Sequence, residues 1–130
     1  MGQAGVRAAR VRKAPAPVVA SVALLCPDLL FGSKVEGGLR AAGHTVTRYS
    51  REEEARAAAA EADVLVVDLT TDAIDGVSLG DVSEARTLGF YSHVEQDTRA
   101  RAEAAGFDLV VPRSRMAREM GALVDRLVES

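Results

Sequence analysis

The sequence predicts an α/β fold in which a five-stranded parallel sheet is covered by helices on both faces. From Val18 onward, short apolar runs alternate with segments of helical spacing, and this alternation is typical of a doubly wound sheet. The strongest runs are nearly continuous in apolar residues, as expected of strands that are buried on both faces. The chain has 130 residues, which is the usual size of one domain with a core of its own.

The first two strand–helix units are predicted from their apolar runs and from capping-box patterns. The run VVASVALLC predicts the first strand, and the box Ser33-Lys34-Val35-Glu36 predicts the start of a helix that Gly43 ends. The more polar run HTVTRY predicts a strand at the sheet edge. The box Ser50-Arg51-Glu52-Glu53 then opens an alanine-rich helix.

The remaining units follow the same pattern. DVLVVDL is the most apolar run and predicts a central strand, whereas residues 70–86 predict a less regular helix that Gly76 and Gly80 interrupt. TLGFY predicts the fourth strand, and Ser92-His93-Val94-Glu95 opens a helix that ends at Gly106. DLVV predicts the fifth strand. The apolar face of the last helix contains Met116, Met120, Leu123 and Leu127.

Charge divides the chain into residues 1–16, predicted to be a flexible basic tail, and residues 17–130, predicted to be the α/β domain. The cations of the tail are Arg7, Arg10, Arg12 and Lys13. The whole chain carries −3, so the remainder carries −3 minus +4, which is −7. The tail has no apolar stripe, contains Pro15 and is followed directly by Pro17, so we expect it to be dispensable for folding. No aromatic residue stands among its cations, so we do not expect it to bind nucleic acid.

The compartment is predicted from the cysteine content and from the length of the apolar runs. Cys26 is the single cysteine, so no internal disulfide can form, and we expect a cytoplasmic protein. The apolar runs are far shorter than the about 20 residues that a membrane-spanning helix needs. We therefore expect no contact with a membrane.

Polar side chains follow four of the five predicted strands at their carboxyl ends. In a parallel sheet these ends share one edge, where ligands and catalytic groups gather. The residues are Cys26, Asp28, Asp68, Ser92, His93 and Arg113. An acid, a hydroxyl group and a cation are thus predicted to meet there.

These residues resemble the receiver domain of two-component response regulators, similar to the single-domain chemotaxis regulator, over about residues 18–128. In that family an aspartate ending the third strand accepts a phosphoryl group, and an Asp-Gly follows seven and eight residues later, as Asp75-Gly76 follows Asp68. A Ser or Thr ends the fourth strand, where this chain has Ser92. A lysine before a proline ends the fifth strand, where this chain has the reversed pair Pro112-Arg113. The resemblance implies the strand order 2-1-3-4-5.

The chain departs from this family where the metal ligands should be. Receivers hold Mg²⁺ with two acids after the first strand, whereas this chain has Cys26 and Pro27 there and Asp28 one position late. A thiol and a proline supply no oxygen ligand for the octahedral site that Mg²⁺ requires. We therefore expect no metal and no other cofactor, and Mg²⁺ enters only if the phosphorylation site is functional.

Several roles stay open for the site residues. Asp68 is either a phosphoacceptor or a strand-end carboxylate that accepts backbone N–H groups. The cations that begin the last helix, Arg113 among them, have Asp28 and Asp68 as candidate partners. Arg113 is expected to pair with Asp68 and to occupy the place of a phosphoryl group. His93 is a solvated turn residue, a hydrogen-bond partner of Asp68 or a general base. Cys26 is a small packed residue or a reactive thiol.

The preferred interpretation is a stand-alone, degenerate receiver (a pseudo-receiver) in bacterial signalling that is not an enzyme and has no catalytic residues. It would act through protein–protein contacts, with the last strand and helix as the face for a partner or for a homodimer. One alternative is a phosphorylatable single-domain regulator that uses Asp68. The other is a flavodoxin-like small-molecule binder or enzyme that uses Asp28, Ser92, His93 and Arg113.

Overall fold

The fold was determined as a computed structural model that describes residues 19–92 and 95–129. The predicted basic tail, residues 1–16, and the candidate residue His93 lie outside the described residues. The division of the chain at residue 16 therefore stays a prediction. No helix of the described segments is long and apolar enough to cross a membrane.

The predicted fold class is confirmed. Five parallel strands form one sheet in the order β2-β1-β3-β4-β5. β3 lies at the centre and all of its residues are buried, as its unbroken apolar run predicts. The strands are β1 (Ser21–Leu25), β2 (Thr45–Tyr49), β3 (Val64–Asp68), β4 (Arg86–Tyr91) and β5 (Leu109–Pro112).

Helices cover both faces of the sheet. On one face, α1 and α4 enclose a core in which Phe31, Met116 and Leu123 meet the sheet. On the other face, α2, a short 3₁₀ helix and α3 enclose a second core around Leu65 and Leu79. The helices are α1 (Leu29–Ala41), α2 (Glu52–Ala59), α3 (Gln96–Ala105) and α4 (Arg113–Glu129), and the 3₁₀ helix (Gly76–Asp81) lies between β3 and β4.

Two of the predicted helix starts are wrong by several residues. α1 begins at Leu29 because Asp28 caps it, with one carboxylate oxygen accepting from the N–H groups of Leu30 and Phe31 at 3.0 and 3.1 Å. α3 begins only after Glu95, so Ser92 is not its cap. A capping-box pattern marks a possible cap, and the path of the preceding loop decides whether the chain uses it.

The predicted helix in residues 70–86 is replaced by the short 3₁₀ helix. The backbone of Gly80 packs directly against the end of α3, where a Cβ atom on Gly80 would lie 2.7 Å from the carbonyl oxygen of Ala105. Such close packing requires glycine, and glycine is a poor residue for a helix interior. The two glycines that interrupt the pattern thus mark a tight connection between β3 and β4.

Candidate functional site

Asp68 is a buried carboxylate at the carboxyl end of β3, with 1% of its surface exposed. Its Oδ1 atom accepts hydrogen bonds from the backbone N–H of Thr70 at 2.8 Å and from the hydroxyl of Thr70 at 2.6 Å. Its Oδ2 atom lies 3.6 Å from the thiol of Cys26. Both oxygen atoms therefore face donors from the protein itself, and the backbone contact is that of an Asx turn.

Cys26 ends the apolar run of the first strand and is also buried. Its sulfur is 3.6 Å from the backbone oxygen of Asp28 as well as from Asp68. Burial, and then the negative charge of Asp68, raise the pKa of Cys26 to about 12. The thiol therefore stays protonated at neutral pH and donates toward Asp68. Of the two roles left open for Cys26, the geometry favours the packed residue over the reactive thiol.

Asp28 is committed to two structural contacts. One oxygen caps α1, and the other lies 3.5 Å from Nη2 of Arg113. The prediction that Arg113 pairs with Asp68 is wrong, because its guanidinium group reaches Asp28 instead. Both side chains of this ion pair are about half exposed, so solvent screening leaves it at most about 1 kcal/mol.

Arg113 is the first residue of α4 and stacks on an aromatic ring. Its Cζ atom lies 4.2 Å from the ring centroid of Phe31 in α1, and that ring in turn packs 5.1 Å from Phe90 in β4. The stack holds the planar guanidinium group beside α1 through a cation–π contact. Arg113 is thus positioned by the neighbouring helix and by its ion pair with Asp28.

A cavity of about 630 Å³ opens beside these groups. Ser92, which directly follows β4, lies on its wall. Asp68 is not among the lining residues. The lining consists of Phe31, Thr70, Ser92, Glu95, Arg113, Ser114 and Ala117. The structure therefore brings Asp28, Ser92 and Arg113 to one edge and encloses Asp68 beneath them.

The residues present do not fit a bound Mg²⁺ ion. Mg²⁺ requires several oxygen ligands in octahedral geometry, whereas the positions after β1 offer a protonated thiol and a proline. The carboxylates of Asp28 and Asp68 already accept hydrogen bonds from the protein. Within residues 19–92 and 95–129, no three metal-ligating side chains come together.

Two residues of this site were not singled out from the sequence. Thr70 was missed although an aspartate side chain commonly accepts from the backbone N–H two residues later, in an Asx turn. Phe31 was missed because the predicted start of α1 placed it in a loop, where nothing indicates a ring beneath a cation.

Solved structures with the same architecture are response-regulator proteins. A response regulator from Thermotoga maritima superimposes with a TM-score of 0.72 at 15% identity, over 87% of this chain and 100% of that one. The receiver domain of the Francisella response regulator 1452 gives 0.73 at 16% identity, over 85% and 97%. A Burkholderia pseudomallei response regulator, solved with a phosphorylated aspartic acid, calcium and citrate, gives 0.63 at 21% identity, over 79% and 71%.

Comparison of the sequence itself adds nothing to this result, since no family model matches it and no curated protein matches it significantly. The structural similarity establishes that the chain has the receiver-like fold. At sequence identities of 15–21%, this similarity shows the fold alone, and the chemistry of the site depends on its own residues.

Proposed function

We propose that this chain is a receiver-like signalling domain of bacterial type that acts through contacts with another protein and is not phosphorylated at Asp68. The observation that supports this most directly is the state of Asp68. Both of its oxygen atoms face donors from Thr70 and Cys26, and the side chain is buried.

Phosphorylation of a carboxylate needs a free oxygen atom and a cation that neutralises the incoming phosphoryl group. Mg²⁺ has no fitting ligands here. Arg113, the cation predicted for this edge, is engaged by Asp28 and stacked on Phe31. A dianionic donor that approached Asp68 would therefore meet an uncompensated negative charge.

An exposed apolar pair supports the proposed protein contact. Leu29 and Leu30 begin α1 beside the cavity, and their surfaces are 71% and 86% exposed. Two adjacent large apolar side chains form an exposed apolar patch, which a protein partner would bury on contact. The predicted pairing of two copies through the last strand and helix stays a prediction. On that face, α4 exposes charged residues such as Arg118 and Arg126.

The central test is incubation with acetyl phosphate and Mg²⁺, followed by intact-mass spectrometry. We expect no added phosphoryl group in the wild-type protein. The matched control is Asp68→Asn, which removes the acceptor. A base-labile adduct that forms on the wild-type protein and is lost in Asp68→Asn would overturn the proposal in favour of a phosphorylatable regulator.

A calorimetric titration tests the metal separately. Because Cys26 and Pro27 stand where two acids are needed, we expect Mg²⁺ to bind only weakly. Replacing both residues by aspartate should strengthen binding. A dissociation constant for Mg²⁺ that lies in the micromolar range in the wild-type protein would contradict the proposed loss of the metal site.

The cavity gives the second candidate, a small-molecule site, one observation in its favour. Arg113 and Ser92 on its wall would suit a small anion. Native mass spectrometry of the purified protein tests this, because a retained ligand that is lost in Arg113→Ala would support it. His93, a further residue predicted for such a site, lies outside the described residues.

A further inference from the structure

The helix α2 leaves a groove over the edge strand of the sheet. The groove has a volume of about 580 Å³, with Thr45, Thr47 and Tyr49 of β2 on one side and Ala57, Ala58 and Ala62 on the other. Thr45 and Thr47 are exposed because α2 has only eight residues and its alanine side chains are too short to reach across β2. The groove is thus a consequence of an alanine-rich helix beside a threonine-rich strand.

Two carboxylates on the rim have no counterion in the described part of the chain. Glu54 and Glu61 line the groove, both are exposed, and neither forms an ion pair with a described residue. Their neighbour Glu53, by contrast, pairs with Arg51. The rim therefore carries negative charge that a cationic segment would neutralise.

The chain supplies such a segment next to the groove. Ser21, the first residue of β1, lines the groove. Its backbone oxygen accepts a hydrogen bond from the backbone N–H of Asp63, which lies two residues after Glu61. The basic residues of the sequence precede this point, in the segment RAARVRK of residues 7–13, which contains no acid. The segment thus joins the domain at the end of the groove that carries Glu61.

We propose that residues 7–13 of the chain itself occupy this groove, with their cations at Glu54 and Glu61 and their alanine and valine side chains over the alanines of α2. Residues 14–18 span at most about 18 Å, which is enough for the chain to turn back from the start of β1. Seven extended residues reach about 25 Å, more than the about 17 Å of a five-residue strand. On this proposal the segment is a bound part of the domain, contrary to the dispensable tail that the sequence alone suggests.

Limited trypsin digestion of the full chain tests the proposal, because trypsin cuts after the same cations that the groove would shield. Neutralising the rim in Glu54→Gln/Glu61→Gln should speed cleavage after Arg7, Arg10, Arg12 and Lys13 by about threefold to tenfold, the range expected of two exposed ion pairs. The matched control is Glu53→Gln, on the same helix but outside the groove, which should leave the rate unchanged. Equal rates in all three proteins would overturn the proposal.

Amide chemical shifts provide a second measurement that does not depend on a protease. In the full chain, neutralising the four cations to glutamine should move the amide signals of β2 and of residues 57–62. About 1 M salt should produce the same change, because it screens exposed charges. Shifts in the wild-type protein that disappear on dilution would show that a second copy supplies the segment, and unchanged signals would exclude any occupant from this chain. Neither result depends on whether Asp68 is phosphorylated.

Discussion

The chemistry open to Asp68 is decided by two neighbouring side chains. In this position a carboxylate with free oxygen atoms could attack a phosphoryl donor, but Thr70 donates twice to one oxygen and Cys26 faces the other. The buried charge is stabilised by these contacts, since an ionised group without them would be strongly disfavoured in the interior. Under the proposed function, the same contacts that make Asp68 compatible with burial also make it a poor acceptor of a phosphoryl group.

The hydroxyl of Thr70 can be tested by Thr70→Val, which removes that donor and keeps the shape of the side chain and the backbone N–H. We expect the free energy of unfolding in urea to fall by about 1–3 kcal/mol, because the lost bond served a buried charged group. Ser83→Ala, which removes a hydroxyl at an exposed position before β4, is the control and should change stability by less than about 0.5 kcal/mol. Equal effects of the two substitutions would mean that the 2.6 Å bond contributes nothing measurable.

Alkaline stability tests the environment of Cys26. Its pKa in the folded protein is about 12 against an ordinary value of 9.0, so the unfolded chain loses the thiol proton first as the pH rises. The contribution of the protonated thiol to the free energy of unfolding is therefore fully present below pH 9. It is lost progressively between pH 9 and pH 12, by at most about 4 kcal/mol. In Cys26→Ser the fall in stability over this range should be smaller, as measured by urea unfolding at fixed pH values. Parallel pH profiles for the two proteins would contradict a buried, protonated thiol.

At the level of elements, strands were predicted more reliably than helix ends. A strand buried on both faces is apolar over most of its length, as β3 is before Asp68, and such a run is easily recognised in the sequence. A helix start depends instead on which polar side chain the incoming loop brings to the first free N–H groups. Asp28 takes that role directly after Pro27, although the pattern at Ser33 matches a capping box equally well.

The connection between β3 and β4 depends on backbone contact between two glycines. Gly80 in the 3₁₀ helix lies against Ala105 and Gly106, and Gly106 ends α3 with a φ of 117°. We expect Gly80→Ala to lower stability by about 1–3 kcal/mol, because its methyl group would overlap a carbonyl group that cannot move freely.

The control for this substitution is Gly37→Ala in α1, where an added Cβ would have no neighbour within 4 Å. That change should raise the free energy of unfolding by about 0.5–1 kcal/mol through helix propensity. Thermal unfolding of both variants measures the contrast. A neutral or stabilising effect of Gly80→Ala would show that the 3₁₀ helix can move away from α3.

For the molecule as a whole, the sequence indicated which residues would gather at the carboxyl edge of the sheet, but not which of Asp28 and Asp68 would pair with Arg113. The alternation of strands and helices places Asp28, Ser92 and Arg113 at one edge of any parallel sheet. The pairing of Arg113 with Asp28 rather than Asp68 depends on the position of the guanidinium group, which the ring of Phe31 holds beside α1. Such distances are set by the packing of α1 against α4, which residue patterns do not specify.

The opposite edge of the sheet is held by His44, which links three elements. Its Nδ1 atom accepts from the backbone N–H of Ala20 at 3.0 Å, so that atom carries no proton, and its Nε2 atom donates to Asp125 of α4 at 2.9 Å. The ring is buried, whereas the carboxylate of Asp125 is 45% exposed. The imidazole thus joins the loop after α1, the residue before β1 and the last helix.

We therefore expect His44→Ala to destabilise the whole domain more than Asp125→Ala. The first substitution leaves a cavity and a buried N–H of Ala20 without an acceptor, and should cost about 2–4 kcal/mol. The second removes one partly solvated acceptor, which water can replace, and should cost about 1 kcal/mol or less. Urea unfolding of both variants gives the comparison. Equal losses would mean that the contribution of His44 comes from its bond to Asp125 rather than from its place between β1 and α4.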